Sequence, residues 1–360
     1  MRASADDGAP RPATLADIAA ATGFATSTVS RALTNPGRVN AVTRGRIQAA
    51  AAELDYVPSG PARALTSGKT RTVAVLVSDV TNPFYFDIIR GTQQQLKAAG
   101  YTQLLVDTEE SDDLEDGMLH RLRHSYDGAI LAASRLSERR LVALSQELPL
   151  VAINRQTPGV PSVFIDTPSG IEQALEHLVS LGHRRIAYAA GPHTSWPNEG
   201  RWRALQRAAK RHGIVPGRVG PFAPKRSAGA AAADAVVNSG ATACIAFNDL
   251  LAIGMLMRLK QRGVSVPGEI SVVGCDDIFG ADFCHPPLTT LTAPIEQAGR
   301  TAVSMLLSRL DDPSAPVPRR AATLPTHLTI RSSTGPVPAT SATTNAATNA
   351  AASAAQAGRR

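Results

Sequence analysis

From residue 72 to about residue 331, short apolar runs alternate with segments of helical pattern, and this alternation limits the possible folds more than any other feature of the 360-residue chain. TVAVLVSD (72–79) reads as a buried strand, 86–99 as a helix ending at Gly100, and TQLLVDT (102–108) as the next strand. The beat continues through GAILAAS, LVAIN, SVFID, a helix over 169–181, RRIAYAAG, a helix over 200–212, ACIAF, a helix over 250–262 and ISVVGCD. Strands apolar on both faces and joined by helices pair in parallel, because the crossover helix returns the chain to the edge from which it started. About 260 residues of this pattern exceed one sheet of ordinary size, so two α/β lobes with a cleft between them are expected.

Composition excludes several classes. At 43% hydrophobic the chain has enough apolar material for a core, which rules out a disordered or fibrous protein. The opening MRASADDGAPRPAT has no apolar h-region, and the longest apolar stretch, IAFNDLLAIGMLM, is broken by Asn248 and Asp249. No membrane partner is expected, and the reading is a cytoplasmic protein. Cys244, Cys275 and Cys284 form no CxxC pair and stand beside no paired histidines, so they read as buried thiols, without a disulfide framework or zinc.

Charge is distributed unevenly. Of a formal net +7, the segment from Arg11 to Arg71 holds +5, with eight cations against three acids. A basic head on a nearly neutral body suggests a nucleic-acid module joined to something else. That head holds only the aromatics Phe24 and Tyr56, too few to stack single-stranded bases, so duplex DNA is the expected partner.

Within the head, TLADIAAATGFATSTVSRALTN has the spacing of a helix-turn-helix: Ala19, Gly23 four residues on, and Val29 six after that. Small Ala19 lets two helices approach, Gly23 can take the positive φ of the turn, and Leu15, Ile18, Val29 and Leu33 face inward. The second helix, about 26–33, then shows Thr26, Ser27, Ser30 and Arg31 outward, where short hydroxyls and a guanidinium can meet base edges and phosphates. A third helix, about 43–54, offers Ile47, Ala50 and Leu54 to the core and Arg44 and Arg46 to the outside. Ser59 can cap and Pro61 can start a short helix carrying Ala62, Arg63 and Leu65; alone it is too short to be stable. The expected organisation is a polar tail (1–13), an all-α helix-turn-helix head (14–58), a hinge and linker (59–71), the two-lobed α/β body (72–332) and a low-complexity tail (333–360).

The run from TLADIAAATGFATSTVSRALTNPGRV through the hinge to VSDVTNPFY, with GHRRIAYAAGP, FNDLLAIG and GCDDIFGADFCHPPLTTL further on, resembles the LacI/GalR family of bacterial transcription regulators. The resemblance implies that Thr26, Ser27 and Arg31 choose an operator in the major groove. It also implies that 59–66 folds into a hinge helix only when paired with its dimer mate on DNA, with Leu65 wedged into the minor groove, and wedge-and-kink binding has that energetic logic. The full candidate DNA-binding set is Thr14, Thr26, Ser27, Thr28, Ser30, Arg31, Asn35, Arg44, Tyr56, Ala62, Arg63 and Leu65. The sequence departs from the family at Phe24-Ala25, where Val-Ser is frequent, and at Gly60-Pro61.

The body resembles periplasmic sugar-binding proteins, whose two lobes close on a small molecule. By that resemblance the candidate effector-binding residues are Asn82, Phe84, Tyr85, Asn154, Arg155, Trp196, Arg201, Asn248 and Asp276. Carboxylate and amide acceptors, a guanidinium donor and aromatic platforms suit vicinal hydroxyls on an apolar ring face. Asp276 follows a strand at its carboxyl end, where open sheets bind ligands. Arg201 stands near the opening of a helix, where a cation is poorly placed for the dipole and so is better explained by the cleft. Phe84 and Tyr85 read equally as core, Trp196 as either a ligand contact or a lid packed on its lobe, and Asn248-Asp249 as a cleft amide followed by a helix cap. No GxSxG, Walker, GxGxxG or HExxH pattern is present, and no enzyme activity or cofactor is expected. The expectation is a homodimeric repressor that binds a palindromic duplex operator and answers to a sugar-like effector.

Overall fold

The computed structural model describes residues 11, 13–57, 68–312 and 321–338. The proposed hinge, with Ala62, Arg63 and Leu65, lies outside the described residues. The chain divides into two compact units, residues 1–70 and 71–360.

The first unit contains α1 (Leu15–Thr22), α2 (Thr26–Thr34) and α3 (Ala41–Glu53). A capping box opens α1: the Asp17 N–H donates to the Thr14 hydroxyl oxygen and the Asp17 carboxylate accepts from the Thr14 N–H. Gly23 closes it at φ 73° in the left-handed region, the conformation that a residue with a side chain adopts at a cost. Ile18, Val29 and Ile47 are fully buried where the three helices meet. Leu54, which the periodicity assigns to this core, instead terminates α3 and is exposed, and half-buried Ala51 and Tyr56 pack in its place.

The second unit is two parallel-dominated sheets. The first has the order β11 (Ala322–Leu324), β5 (Ser162–Ile165), β4 (Leu150–Ile153), β3 (Gly128–Ala132), β1 (Thr72–Val77), β2 (Thr102–Asp107), all parallel. The second has the order β12 (His327–Thr329), β10 (Thr289–Thr292), β9 (Ser271–Cys275), β8 (Ala243–Ala246), β6 (Ile186–Ala189), β7 (Gly217–Val219), with β12 alone antiparallel. Each sheet is apolar on both faces because helices cover both. On the first lobe, α4 (Phe84–Ala98) packs with a C-terminal helix, Ile295–Asp311, over one face, and α5 (Asp112–Arg121) and α6 (Glu138–Glu147) cover the other. On the second, α7 (Thr167–Ser180) and α8 (Trp196–Arg211) lie opposite α9 (Gly229–Asn238) and α10 (Asp249–Gln261). The chain passes between lobes at Asp166–Thr167, Ala293–Pro294 and Pro325–Thr326, and the first and last crossings are tied: Asp166 N–H donates to the Leu324 carbonyl at 2.9 Å and Thr326 Oγ1 to the Asp166 carbonyl at 2.6 Å.

Two expectations need correction. The body does not end at residue 332: Ser333 is fully buried, its hydroxyl donates to the Val272 carbonyl at 2.6 Å, and Val337 N–H donates to the Leu181 carbonyl at 2.9 Å. Residues 333–338 therefore belong to the second lobe; their Ser, Thr, Gly and Pro content conceals backbone pairing that needs no apolar periodicity. Helix α8 begins at Trp196 rather than near residue 200, because Pro197 in its first turn needs no hydrogen-bonded N–H there. Cys244 and Cys275 are buried as expected, whereas Cys284 is only partly covered.

Candidate functional site

In the head, Thr26, Ser27 and Arg31 on α2 are exposed, Thr28 and Ser30 are half-buried, and Asn35 follows the helix, exposed. Arg31 has no partner among the described residues, so its fork is open to an acceptor outside the chain. The other candidates are partly committed. The Thr14 hydroxyl donates to Asp17 at 2.7 Å, Arg44 donates to the Pro36 carbonyl at 3.0 Å, and Tyr56 packs on the head core. The departure at Ala25 has a local consequence: it is the N-cap of α2 and supplies no side-chain hydrogen bond. Phe24 beside it lies under the Arg46 guanidinium, 5.1 Å from the ring centroid.

In the body, a cleft is lined by residues from both lobes. Asn82, Phe84, Tyr85, Asn154, Arg201, Asn248 and Asp276 all line it. Its walls are built at the carboxyl ends of strands, as expected of open α/β sheets. Backbone strain marks the same places: Glu110 (φ 62°) after β2, Ala133 (φ 56°) after β3, Asn154 (φ 60°) after β4 and Asp276 (φ 128°) after β9 are non-glycine residues at positive φ, and all four line the cleft. Such conformations cost free energy and persist where the surroundings hold them.

The second lobe contributes an ion pair. Arg201, in the second turn of α8, has its side chain 3% exposed and lies 3.5 Å from the Asp276 carboxylate, itself 7% exposed. Arg201 Nε donates to Thr167 Oγ1 at 3.2 Å, Nη1 donates to the Phe247 carbonyl, and the guanidinium lies 5.0 Å from the Phe247 ring centroid. Burial pushes the Asp276 carboxyl up to about 7, and Arg201 acts against that rise. Beneath it, fully buried Asp249 accepts from Thr290 Oγ1 at 2.5 Å and from the Ile278 N–H at 3.0 Å, which pins the loop carrying Asp276. Asn248, not Asp249, caps α10, accepting from the Leu251 N–H at 3.0 Å while its amide donates to the Pro224 carbonyl.

Two expected residues are not in the cleft. Arg155 is turned into the first lobe and donates to the Leu136 carbonyl at 3.2 Å. Trp196 packs edge-on against Phe164 at 5.8 Å and does not line the cleft; its neighbours Ser195 and Pro197 do. Sequence reasoning also missed a second ion pair, Arg135 with Glu110, on the first-lobe wall: Arg135 Nε donates to Glu110 Oε2 at 2.8 Å and Nη2 to the same oxygen. Three cleft atoms, Arg135 Nη1, Asn154 Oδ1 and Ser195 Oγ, are buried without a hydrogen-bond partner. Unpaired buried polar groups are costly, and their concentration here marks a binding surface.

An exposed helix bearing hydroxyls and an unpaired arginine, joined to a two-lobed body with a polar cleft, defines a ligand-binding, DNA-binding regulator. Residues 14–59 match bacterial regulatory proteins of the lacI family, and residues 175–334 match a periplasmic binding protein-like domain. The HTH-type transcriptional repressor CytR of Escherichia coli (strain K12) is 33% identical over 309 residues, covering 83% of this chain and 90% of that protein. The structure of the Lac repressor dimer bound to operator and the anti-inducer ONPF aligns with a TM-score of 0.80 at 26% identity, over 90% of this chain and 100% of that one. A LacI family regulator from Enterococcus faecium with bound ribose aligns with a TM-score of 0.66 at 28% identity, over 74% and 99%. The chain belongs to the LacI family of bacterial transcription regulators. Among the described residues no helix is long and apolar enough to cross a membrane.

Proposed function

We propose that this protein is a homodimeric cytoplasmic repressor whose affinity for a palindromic operator is set by a sugar-like effector bound between the lobes. The observation that carries the effector reading is the buried Arg201–Asp276 pair beside Phe247. A guanidinium that donates next to a carboxylate that accepts matches two adjacent hydroxyls. The bound ribose of the Enterococcus faecium regulator supports the same class.

In this reading Thr26, Ser27 and Arg31 read base edges, with Thr28, Ser30 and Asn35 beside them. Thr14, Arg44 and Tyr56 stand against the phosphate backbone, and Ala62, Arg63 and Leu65 form the hinge contact. Asn82, Phe84, Tyr85, Asn154 and Asn248 complete the cleft around the ion pair. Effector binding shifts the lobes between two arrangements, and the heads of the dimer sense it with a coupling of about 1–3 kcal/mol. Footprinting on genomic fragments tests the first half: protection of two half-sites related by a dyad, about one helical turn of 10–10.5 bp apart, is expected. Protection of one asymmetric site by a monomer refutes it.

A further inference from the structure

Resting on the effector reading above, we infer that the ligand is an uncharged polyhydroxylated ring, that the cleft excludes phosphorylated and carboxylated sugars, and that Glu110 is the residue enforcing this selection through Arg135. Charge around the cleft is balanced group by group. Each lining cation already has its own acid: Arg201 has Asp276 and Arg135 has Glu110, while Lys225, next in sequence to the lining residue Pro224, lies 3.8 Å from Asp79. The helices that open onto the cleft are balanced too. The first turns of α4, α8 and α10 carry Asp87, Glu199 and Asp249, so their positive ends already face an acid. Arg155 is outside the cleft lining: it donates to the Leu136 carbonyl, forms no ion pair among the described residues, and feels Glu138 and Glu115 favourably and Arg135 unfavourably. An anionic ligand would lose its hydration without gaining an unpaired cation, and buried charges are tolerated only when paired.

The cleft asks for hydrogen bonds instead. Arg135 Nη1 requires an acceptor, Asn154 Oδ1 a donor, and Ser195 Oγ either. Hydroxyl groups are donor and acceptor at once, so a ring hydroxylated on two edges can satisfy these atoms on the first-lobe wall while another hydroxyl pair meets Arg201 and Asp276 on the second. Glu110 is held firmly in place. Its N–H donates to the Ser78 carbonyl at 2.7 Å, and its carboxylate takes both Nε and Nη2 of Arg135, which leaves Nη1 as the remaining edge.

The decisive experiment uses the full chain at pH 8, where Asp276 is ionised, and measures by calorimetry the affinity for neutral pentoses and hexoses, including D-ribose and D-glucose, and for ribose 5-phosphate and glucose 6-phosphate. The expected result is binding of at least one neutral sugar, with its phosphate at least tenfold weaker. In Glu110→Gln the Arg135 cation, no longer paired with Glu110, should narrow that gap at least tenfold, with far-UV circular dichroism and the urea-unfolding midpoint reporting that the variant is folded. A phosphate that binds wild type as tightly as its parent sugar overturns the charge argument while leaving the effector cleft standing. An unchanged gap in folded Glu110→Gln removes Glu110 from the selection. Binding of neither set overturns the sugar reading itself.

Discussion

Replacing Arg201 with Met separates the electrostatic part of the cleft from its packing, because Met fills much of the volume and removes the cation. At 3.5 Å and an effective dielectric constant near 20, the pair's attraction is about 5 kcal/mol. Breaking a buried pair by losing one partner costs about 3–5 kcal/mol for the same reason. Asp276 can escape that cost by taking up a proton, so the loss depends on pH. In wild type the folded carboxyl titrates at about 7, above its ordinary value of 3.8, so the native state holds a proton the unfolded chain has released. Stability from this group therefore falls as pH rises from about 4 to 7 and is level above. Without Arg201 the folded value moves higher, and the fall continues through alkaline pH. At pH 5.5 the carboxyl is neutral in both proteins, and the variant loses only the bonds to Thr167 and the Phe247 carbonyl, about 1–3 kcal/mol. At pH 8.5 a further loss of about 2 kcal/mol is expected, from the rise above 7 at about 1.4 kcal/mol per unit. Urea unfolding followed by circular dichroism at the two pH values measures the difference. Equal losses at both would refute the coupling of Asp276 to Arg201.

Other outcomes follow from the head. Arg31→Ala should change which operator is preferred, while Arg44→Ala should weaken all duplexes alike and reduce the salt slope, as measured on an operator panel at fixed ionic strength. Ala25→Ser supplies the missing N-cap of α2 and should stabilise the head by about 0.5–2 kcal/mol, read as a rise in its calorimetric transition. Leu65→Ala should lose specific affinity and DNA bending while non-specific, salt-dependent binding persists; wild-type bending in the variant would make the hinge a plain tether.

Much of this fold was legible because its periodicities are long and mutually consistent. Ala19, Gly23 and Val29 mark a helix pair that only a tight turn can join, and the apolar runs from Thr72 onward leave little alternative to parallel sheets. The family resemblance points to Asn82, Asn154 and Asn248, and the rule that ligands gather at strand carboxyl ends supports Asp276. Applied to every strand it would also have found Glu110 and Arg135, whose loops after β2 and β3 carry no motif and whose pairing exists only in three dimensions. Arg155 and Trp196 show the opposite failure. Their positions adjoin the cleft, but the direction of a side chain depends on the local backbone: Asn154 at positive φ sends its successor away, and Trp196 in the first turn of α8 meets Phe164 instead. The helix at Ile295–Asp311 crosses back to the first lobe, a placement set by sheet order rather than by any local signal.

Cleft and operator belong to one mechanism, and a single measurement addresses both. Fluorescence anisotropy of a labelled operator, titrated with the full chain in the presence and absence of the neutral sugar that calorimetry identifies, gives the coupling directly. The sugar should change operator affinity about 5- to 150-fold, and Arg201→Met should bind the operator normally but no longer respond. An operator affinity unchanged by a sugar that binds, or a full response retained in Arg201→Met, would contradict this mechanism.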